Sequence, residues 1–493
     1  MSNYIMLQGT SSHVGKSILT TALCRIFYQE GKHVTPFKAQ NMALNSYVTV
    51  DGLEMGRAQV AQAEAAMLAP HVDMNPVLLK PTGNSSSQVI INGRPIGNMS
   101  AKEYHQGYSL KAFEAVKAAL NRLDKNFDII VIEGAGSPAE VNLKANDIVN
   151  MRVAKYLNAP VLLVADIDRG GSLAALVGTL ELLDDDERDL VKGLVINKFR
   201  GDVSLFTPAV DFLEKKTGKP VLGVIPFIER LGIDDEDSVS LDDKQSVNQN
   251  GAIKIAIVRT PKISNFTDFD SLAGEVDVNL FYATSIEELD AVDLIILPGS
   301  KNTSEDLIYL QRSGFIDKIK TLTKSGTAVI GICGGFQMLG NKIYDPLHTE
   351  STNDEVDGLG LLPITTTFAS EKFTRQVIID KIDFDFLTTH IISENLDGYE
   401  IHSGVTEGLG NEKIITAGNV LGTYVHGIFD NDDFRRQILN AIRLKKNLKP
   451  LPNTRNIRAE KQQSYERLAK VVRDNLNMEL LESIIEGNAP ESR

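Results

Sequence analysis

Only two cysteines, Cys24 and Cys333, occur in the 493 residues of this chain. Thiols so few and so far apart exclude a disulfide framework and a thiolate metal cluster. Also missing is any apolar run near the roughly 20 residues that a bilayer span needs. The N-terminus leads straight into a strand pattern, without the basic, apolar, small-residue order of a secretion signal. These absences predict a cytoplasmic protein with no membrane partner. No basic excess is present either: 51 Lys and Arg face 65 Asp and Glu, a net charge of -14. Such a field disfavours nucleic acid as a partner, and any anionic ligand must be held by local positive groups. What remains, 42% hydrophobic and 24% charged residues, is the composition of a soluble globular protein. Its length exceeds one ordinary core, which predicts two domains and a tail.

Through the first half, short apolar runs alternate with helix-length amphipathic stretches, the pattern of βα units in a parallel sheet. Strands are expected at Ile5 to Gln8, Val34 to Lys38, Asp128 to Ile132, Pro160 to Ala165, Gly193 to Asn197 and Val221 to Pro226. Helices are expected to begin near Lys16, Glu54, Leu110, Asp147, Ser172 and Ser204. The acidic, polar stretch 234–251 has too little apolar surface to bury and reads as a linker. Apolar strands resume at Lys254 to Val258, Leu294 to Leu297 and Ala328 to Ile332, and short β-like runs with glycines follow from Gly358 to Gly427. The expected organisation is a first α/β domain over 1–233, a second over 252–450 and a helical tail over 451–493.

Two motifs carry chemistry. In Gly9-Thr10-Ser11-Ser12-His13-Val14-Gly15-Lys16-Ser17, a strand runs into a glycine loop and then a helix. Inward-pointing N–H groups can cradle phosphates, Lys16 can reach the terminal ones and Ser17 can ligate Mg²⁺. The loop has one residue more between its glycines than G-x-x-x-x-G-K-[ST]. Glu133, beyond an apolar strand, is a second candidate for Mg²⁺, with an ordinary strand-end acid as the alternative. Asn197 follows another strand where a base-recognition segment can sit, with a plain turn as the alternative. The second motif is Gly331-Ile332-Cys333-Gly334-Gly335, where a strand breaks at a glycine-flanked cysteine. Cysteine chemistry needs a base and oxyanion donors. His426 ends a later apolar strand and is the candidate base. Gly299, in Pro298-Gly299-Ser300, and Gly334 are the candidate oxyanion donors. Cys24, in an apolar helical run, reads as a buried structural thiol.

The long glycine loop resembles that of dethiobiotin synthetase and its relatives, which use ATP to activate a carboxylate. Oxyanion glycine, elbow cysteine and histidine, in that chain order, resemble a class I glutamine amidotransferase domain. Many such domains continue the histidine as His-x-Glu; here Gly427 and Ile428 follow, which is similar to the cobyrinic acid synthase branch of the class. Glu400 and His402, in Tyr399-Glu400-Ile401-His402-Ser403-Gly404, also resemble a segment of that branch, and either is a candidate to orient His426 or close the site, with a packed β segment as the alternative. The Lys38 to Ser46, Leu79 to Pro81, Glu133 to Asn142 and Asp166 to Gly171 segments are similar to the cobyric acid synthase family, and the resemblance covers nearly the whole chain.

The resemblance implies a P-loop parallel-sheet domain followed by a class I glutamine amidotransferase domain, both α/β. It implies glutamine, ATP and Mg²⁺ acting on a corrinoid: amidation of the b, d, e and g carboxylates of adenosylcobyrinic acid a,c-diamide. Lys38, Lys80 and Arg94 are candidates to hold substrate carboxylates, against a solvated surface role for each. A cobyrinic acid a,c-diamide synthase, and a P-loop regulatory ATPase carrying an inert amidotransferase-like domain, stay open as other readings. The oligomeric state, a homo-oligomer included, is open as well.

Overall fold

The computed structural model describes residues 2–82, 85–229, 231–233, 248–410 and 412–487. The expected linker falls largely on 234–247, outside the described residues. In the first half, six parallel strands form one sheet in the spatial order Val221–Pro226, Val191–Phe199, Val161–Asp166, Asn3–Gly9, Ile129–Glu133, Val34–Phe37. Ile129–Glu133 is buried at every position. Near-continuous apolar strands of this kind need helices on both faces. Lys16–Gln29 and Ser109–Leu123 serve opposite faces, the first packing Leu23 and Phe27 against Ile5 and Leu7, the second Val116 and Leu120 against Met6 and Ile130.

The second half holds another six-stranded sheet, ordered Val278–Ala283, Ile253–Val258, Leu294–Leu297, Ala328–Ile332, Val420–Thr423, Ile414–Ala417. All neighbours are parallel except the last pair. Beyond it stands a long antiparallel hairpin, Thr365–Phe386 with Thr389–Glu407, in a region where the sequence suggests only short β runs. Its pattern is visible in retrospect: Val377 and Ile379 are buried while Ile378 between them is exposed, as a strand with one wet face requires.

One element differs from expectation in a way that matters for the site. The helix expected from Glu54 begins at Arg57, because Glu54–Gly56 pairs antiparallel with Ser46–Val48. That small hairpin docks on the second half: Thr374 Oγ1 donates to Gly52 O at 2.7 Å, and Tyr399 Oη donates to Ser46 O at 3.1 Å. The tail is two helices, Ile457–Asn475 and Met478–Ile485, and Asn477 caps the second by accepting from Leu480 N. It returns to the first half, where Tyr465, Leu468 and Val472 share a core with Leu23 and Phe27. Arg25, buried under this helix, bonds Gln462 and stacks on Tyr465.

Candidate functional site

At the first sheet's centre, the strand Asn3–Gly9 turns through the glycine loop into the helix Lys16–Gln29. Gly15 has φ 98°, a left-handed conformation, and a Cβ there would lie 2.0 Å from Asn197 Nδ2. Glycine is therefore required twice over at this position. Asn197 itself donates to Val14 O at 2.8 Å, so its amide braces the loop from the neighbouring strand. Thr10 N donates to Val164 O at 2.9 Å, which continues the sheet ladder to the edge of the loop. Lys16 curls back over the loop, donating to Ser11 O at 2.9 Å and Gly136 O at 3.1 Å.

Glu133 is wholly buried at the end of its strand and gathers three partners. Its Oε1 accepts from Ser17 Oγ and from Lys38 Nζ, both at 2.8 Å, and its Oε2 accepts from Gln62 Nε2 at 2.6 Å. Mg²⁺ typically takes oxygens at about 2.0–2.1 Å from one or two protein groups plus phosphate and water. Ser17 Oγ and Glu133 Oε1, in mutual contact, are spaced as two neighbouring ligands of such an ion must be. The donor set therefore fits Mg²⁺. The described residues contain no cluster of three His, Cys, Asp or Glu side chains suited to a metal, so phosphate oxygens would have to complete the shell.

Cys333 ends the strand Ala328–Ile332 and precedes the short helix Gly334–Leu339. Its φ of 52° and ψ of -107° are strained for a residue with a side chain, at a cost of about 1–3 kcal/mol. The sharp turn lifts the thiol out of the sheet into a cleft shared with His426. His426 Nδ1 donates to Asp268 Oδ2 at 2.6 Å, and Gly427 N donates to the other oxygen at 3.0 Å. With Nδ1 committed to the acid, Nε2 is left for the thiol. Burial opposes a charge on this ring, but the Asp268 carboxylate, and then the Cys333 sulfur, carry its pKa up to about 10. Tyr399 stacks on the ring at 5.2 Å and exchanges two backbone hydrogen bonds with His426, which fixes its orientation.

The acid behind His426 is thus Asp268, and neither of the residues that the sequence suggested for that place. Glu400 turns away to accept from Arg375 Nε at 2.6 Å and Lys413 Nζ at 2.8 Å. His402 stacks on Tyr424 at 3.8 Å on the cleft wall, and burial pushes its pKa down to about 4. Asp268 lies in a single turn, Phe266–Phe269, upstream of the cysteine, with no spacing that ties it to His426.

Gly299 and Ser300 pair with Ser264 and Ile263, and Lys301 N donates to Lys262 O at 2.9 Å. Antiparallel alternation then commits the Gly299 N–H to Ser264 and turns the Ser300 N–H the other way. A Cβ on Gly334 would sit 2.9 Å from Ser300 N, so the amide facing Gly334 belongs to Ser300.

Of the three cations suggested for substrate carboxylates, no two share a site. Lys38 lies on Glu133 in the nucleotide site. Arg94 is exposed at the turn of the hairpin Ser86–Ile91 and Arg94–Ser100. Lys80 is buried, bonds Glu54 Oε1 and Ser46 Oγ at 2.9 Å each, and lines the Cys333 cleft. Docking explains this displacement: Lys80, Glu54 and Ser46 come from the first half, and Lys372 of the long hairpin closes on Glu54 at 2.6 Å. Asn45 and Ser46 also clasp the turn that carries the acid, since Ser46 N donates to Asn265 Oδ1 at 3.0 Å and Phe266 N donates to Asn45 Oδ1 at 3.2 Å.

Comparison with known proteins agrees with this geometry. Residues 5–240 match the CobQ/CobB/MinD/ParA nucleotide binding domain, and residues 254–434 match the CobB/CobQ-like glutamine amidotransferase domain. A cobyric acid synthase of Carboxydothermus hydrogenoformans is 51% identical over 98% of this chain and 100% of its own length. One from Moorella thermoacetica is 50% identical over 98% of both chains, and one from Pelotomaculum thermopropionicum is 53% identical over 91% of this chain and 89% of its own. An N-terminal nucleotide-binding half, a thiol centre in the second half and identity sustained along the whole length place this chain in the cobyric acid synthase family.

Proposed function

We propose that this chain is a glutamine-dependent amidoligase of cobalamin biosynthesis, which amidates the b, d, e and g carboxylates of adenosylcobyrinic acid a,c-diamide at the expense of ATP. One observation carries the reading. A cysteine and a histidine backed by an aspartate share one cleft in the second half, and a phosphate loop meets a buried glutamate in the first.

In the second half, Asp268 holds His426 in the orientation and charge state that favour a Cys333 thiolate. The thiolate attacks the glutamine side-chain amide, and the N–H groups of Gly334 and Ser300 stabilise the oxyanion. His426 gives its proton to the departing nitrogen, and water then frees glutamate from the sulfur. In the first half, Gly9, Thr10 and Gly15 shape the loop around the ATP phosphates and Lys16 neutralises the terminal ones. Ser17 and Glu133 would hold Mg²⁺, which supplies positive charge against the phosphates when bound. A carboxylate resists nucleophilic attack because its oxygen is a poor leaving group, and transfer of the γ-phosphoryl group to it supplies a better one. Lys38, held 2.8 Å from Glu133 Oε1, adds a second cation to this site. Ammonia then displaces phosphate.

The corrinoid carboxylate enters by a cavity of about 580 Å³ that adjoins Gly136, between Gln40, Tyr104 and the 135–152 segment. Ammonia that escaped would be protonated in neutral water, so a sheltered route is required. The helix Arg57–Ala65 supports one, because it runs from the docked hairpin to Glu133 with Gln59 and Gln62 wholly buried. Gln59 Nε2 and Gln62 Oε1 have no hydrogen-bond partner among the described residues. The test is mass spectrometry of the corrinoid product, which counts the amides formed. Four new amides on the a,c-diamide support the proposal; amidation of cobyrinic acid itself at a and c overturns it.

A further inference from the structure

The cleft beside Cys333 carries more positive charge than its own acids balance. Lys80, Lys301 and Lys372 line it, and Glu350 is the one carboxylate on its wall among the described residues. Behind the wall, the single carboxylate of Glu54 answers both Lys80, at 2.9 Å, and Lys372, at 2.6 Å. Lys301 has no ion pair within 4 Å among the described residues. Burial, and then the neighbouring Lys372 charge, disfavour its ammonium form, while the Glu350 and Glu54 carboxylates favour it from beyond ion-pair distance. Glu350 stands nearby. One of its oxygens accepts from Thr303 N at 2.7 Å, and burial raises its pKa to about 7 against the opposing pull of the Lys301 charge. The cleft therefore offers an ammonium and a carboxylate that attract each other without closing an ion pair within 4 Å, inside the same walls as a nucleophilic thiol. A free α-amino acid with an amide at the end of its side chain complements all three.

We infer that Lys301 holds the α-carboxylate, and Glu350 the α-ammonium, of free glutamine whose side-chain amide extends to Cys333. The inference rests on the amidoligase reading and goes past it, by naming what selects the nitrogen donor. A glutamine within a peptide carries neither charge and is refused. Lys80 and Glu54, from the nucleotide half, set the field in which Lys301 works, so the donor site is complete only with the halves docked.

The experiment measures thiol-dependent ammonia release by the full-length protein from three amides. These are L-glutamine, γ-aminobutyramide, which lacks the carboxylate, and glutaramic acid, which lacks the ammonium. Lys301→Met is expected to lower kcat/KM for glutamine by about 10- to 100-fold and to change that for γ-aminobutyramide little. Glu350→Gln is expected to do the converse, sparing glutaramic acid, and Lys301→Arg to keep most of the preference for glutamine. An equal fall on all three substrates in Lys301→Met would mean a structural role and overturn the inference. So would a wild type that handles either analogue as well as glutamine. Wild-type amidation of the corrinoid from ammonium bypasses the cleft and is scored separately: its absence sinks the amidoligase reading, while the substrate pattern of ammonia release still decides the inference.

Discussion

The two sites are built on opposite plans. The nucleotide site is built around one contiguous stretch, the loop Gly9 to Ser17, which Glu133, Lys38 and Asn197 join from other strands of the same sheet. The thiol site is gathered from the turn at Asp268, the strand at Gly299, the elbow at Cys333, Lys372 of a long hairpin, His426 and a lysine from the other half. A contiguous site survives wherever its strand and helix form. A gathered one depends on the register of the hairpin and on docking, so perturbations far from the cysteine should reach it.

The largest expected effect separates the sites by nitrogen source. Lys16→Ala should abolish amidation with glutamine or ammonium, whereas Cys333→Ala should abolish it with glutamine alone. Equal failure of both variants with ammonium would erase the distinction. Next comes the acid. Asp268→Asn should lower ammonia release by about 10²- to 10⁴-fold, the range for losing the partner that orients a catalytic histidine, while Glu400→Gln should cost less than about tenfold. A reversal of that order would return the role to Glu400.

A smaller effect follows from titration. The His426 ring has a folded pKa near 10 against an ordinary value of 6.5, a raised value. Its pairing with Asp268 therefore stabilises the fold fully below about pH 6.5, and that contribution is lost as pH climbs towards about 10. The gap in Tm between wild type and Asp268→Asn should narrow across this window; a gap that widens would contradict the assignment. Smallest of all, Arg25→Met should lower stability by about 1–3 kcal/mol, by removing a buried guanidinium that ties the tail helix to the nucleotide half. Chemical denaturation measures it.

The same contrast explains what could be read from the chain alone. Apolar runs announced the six strands of the first sheet and the central strands Ile253–Val258, Leu294–Leu297 and Ala328–Ile332 of the second, because buried parallel strands leave little freedom in composition, whereas the edge strand Val278–Ala283 went unread. Cys333, His426 and the glycine loop were legible because each carries a local signature. Asp268 was not. An acid in a one-turn helix looks like any cap, and only the fold brings it to the histidine. Lys80 misled for the same reason, since a lysine at a strand end says nothing of which half its ammonium will face once the hairpin has docked. The hairpin escaped notice because its alternation is interrupted by the bulge between Thr367 and Lys372 and by polar pairs along its wet face.

The central claim is that nitrogen freed at Cys333 passes to a carboxylate activated at the phosphate loop without mixing with the solvent. Amidation with glutamine labelled by ¹⁵N in its side-chain amide, run in a large excess of unlabelled ammonium, tests it most directly. The account predicts corrinoid amides that carry the label in wild type and unlabelled amides in Cys333→Ala. Unlabelled amides from the wild type would contradict it.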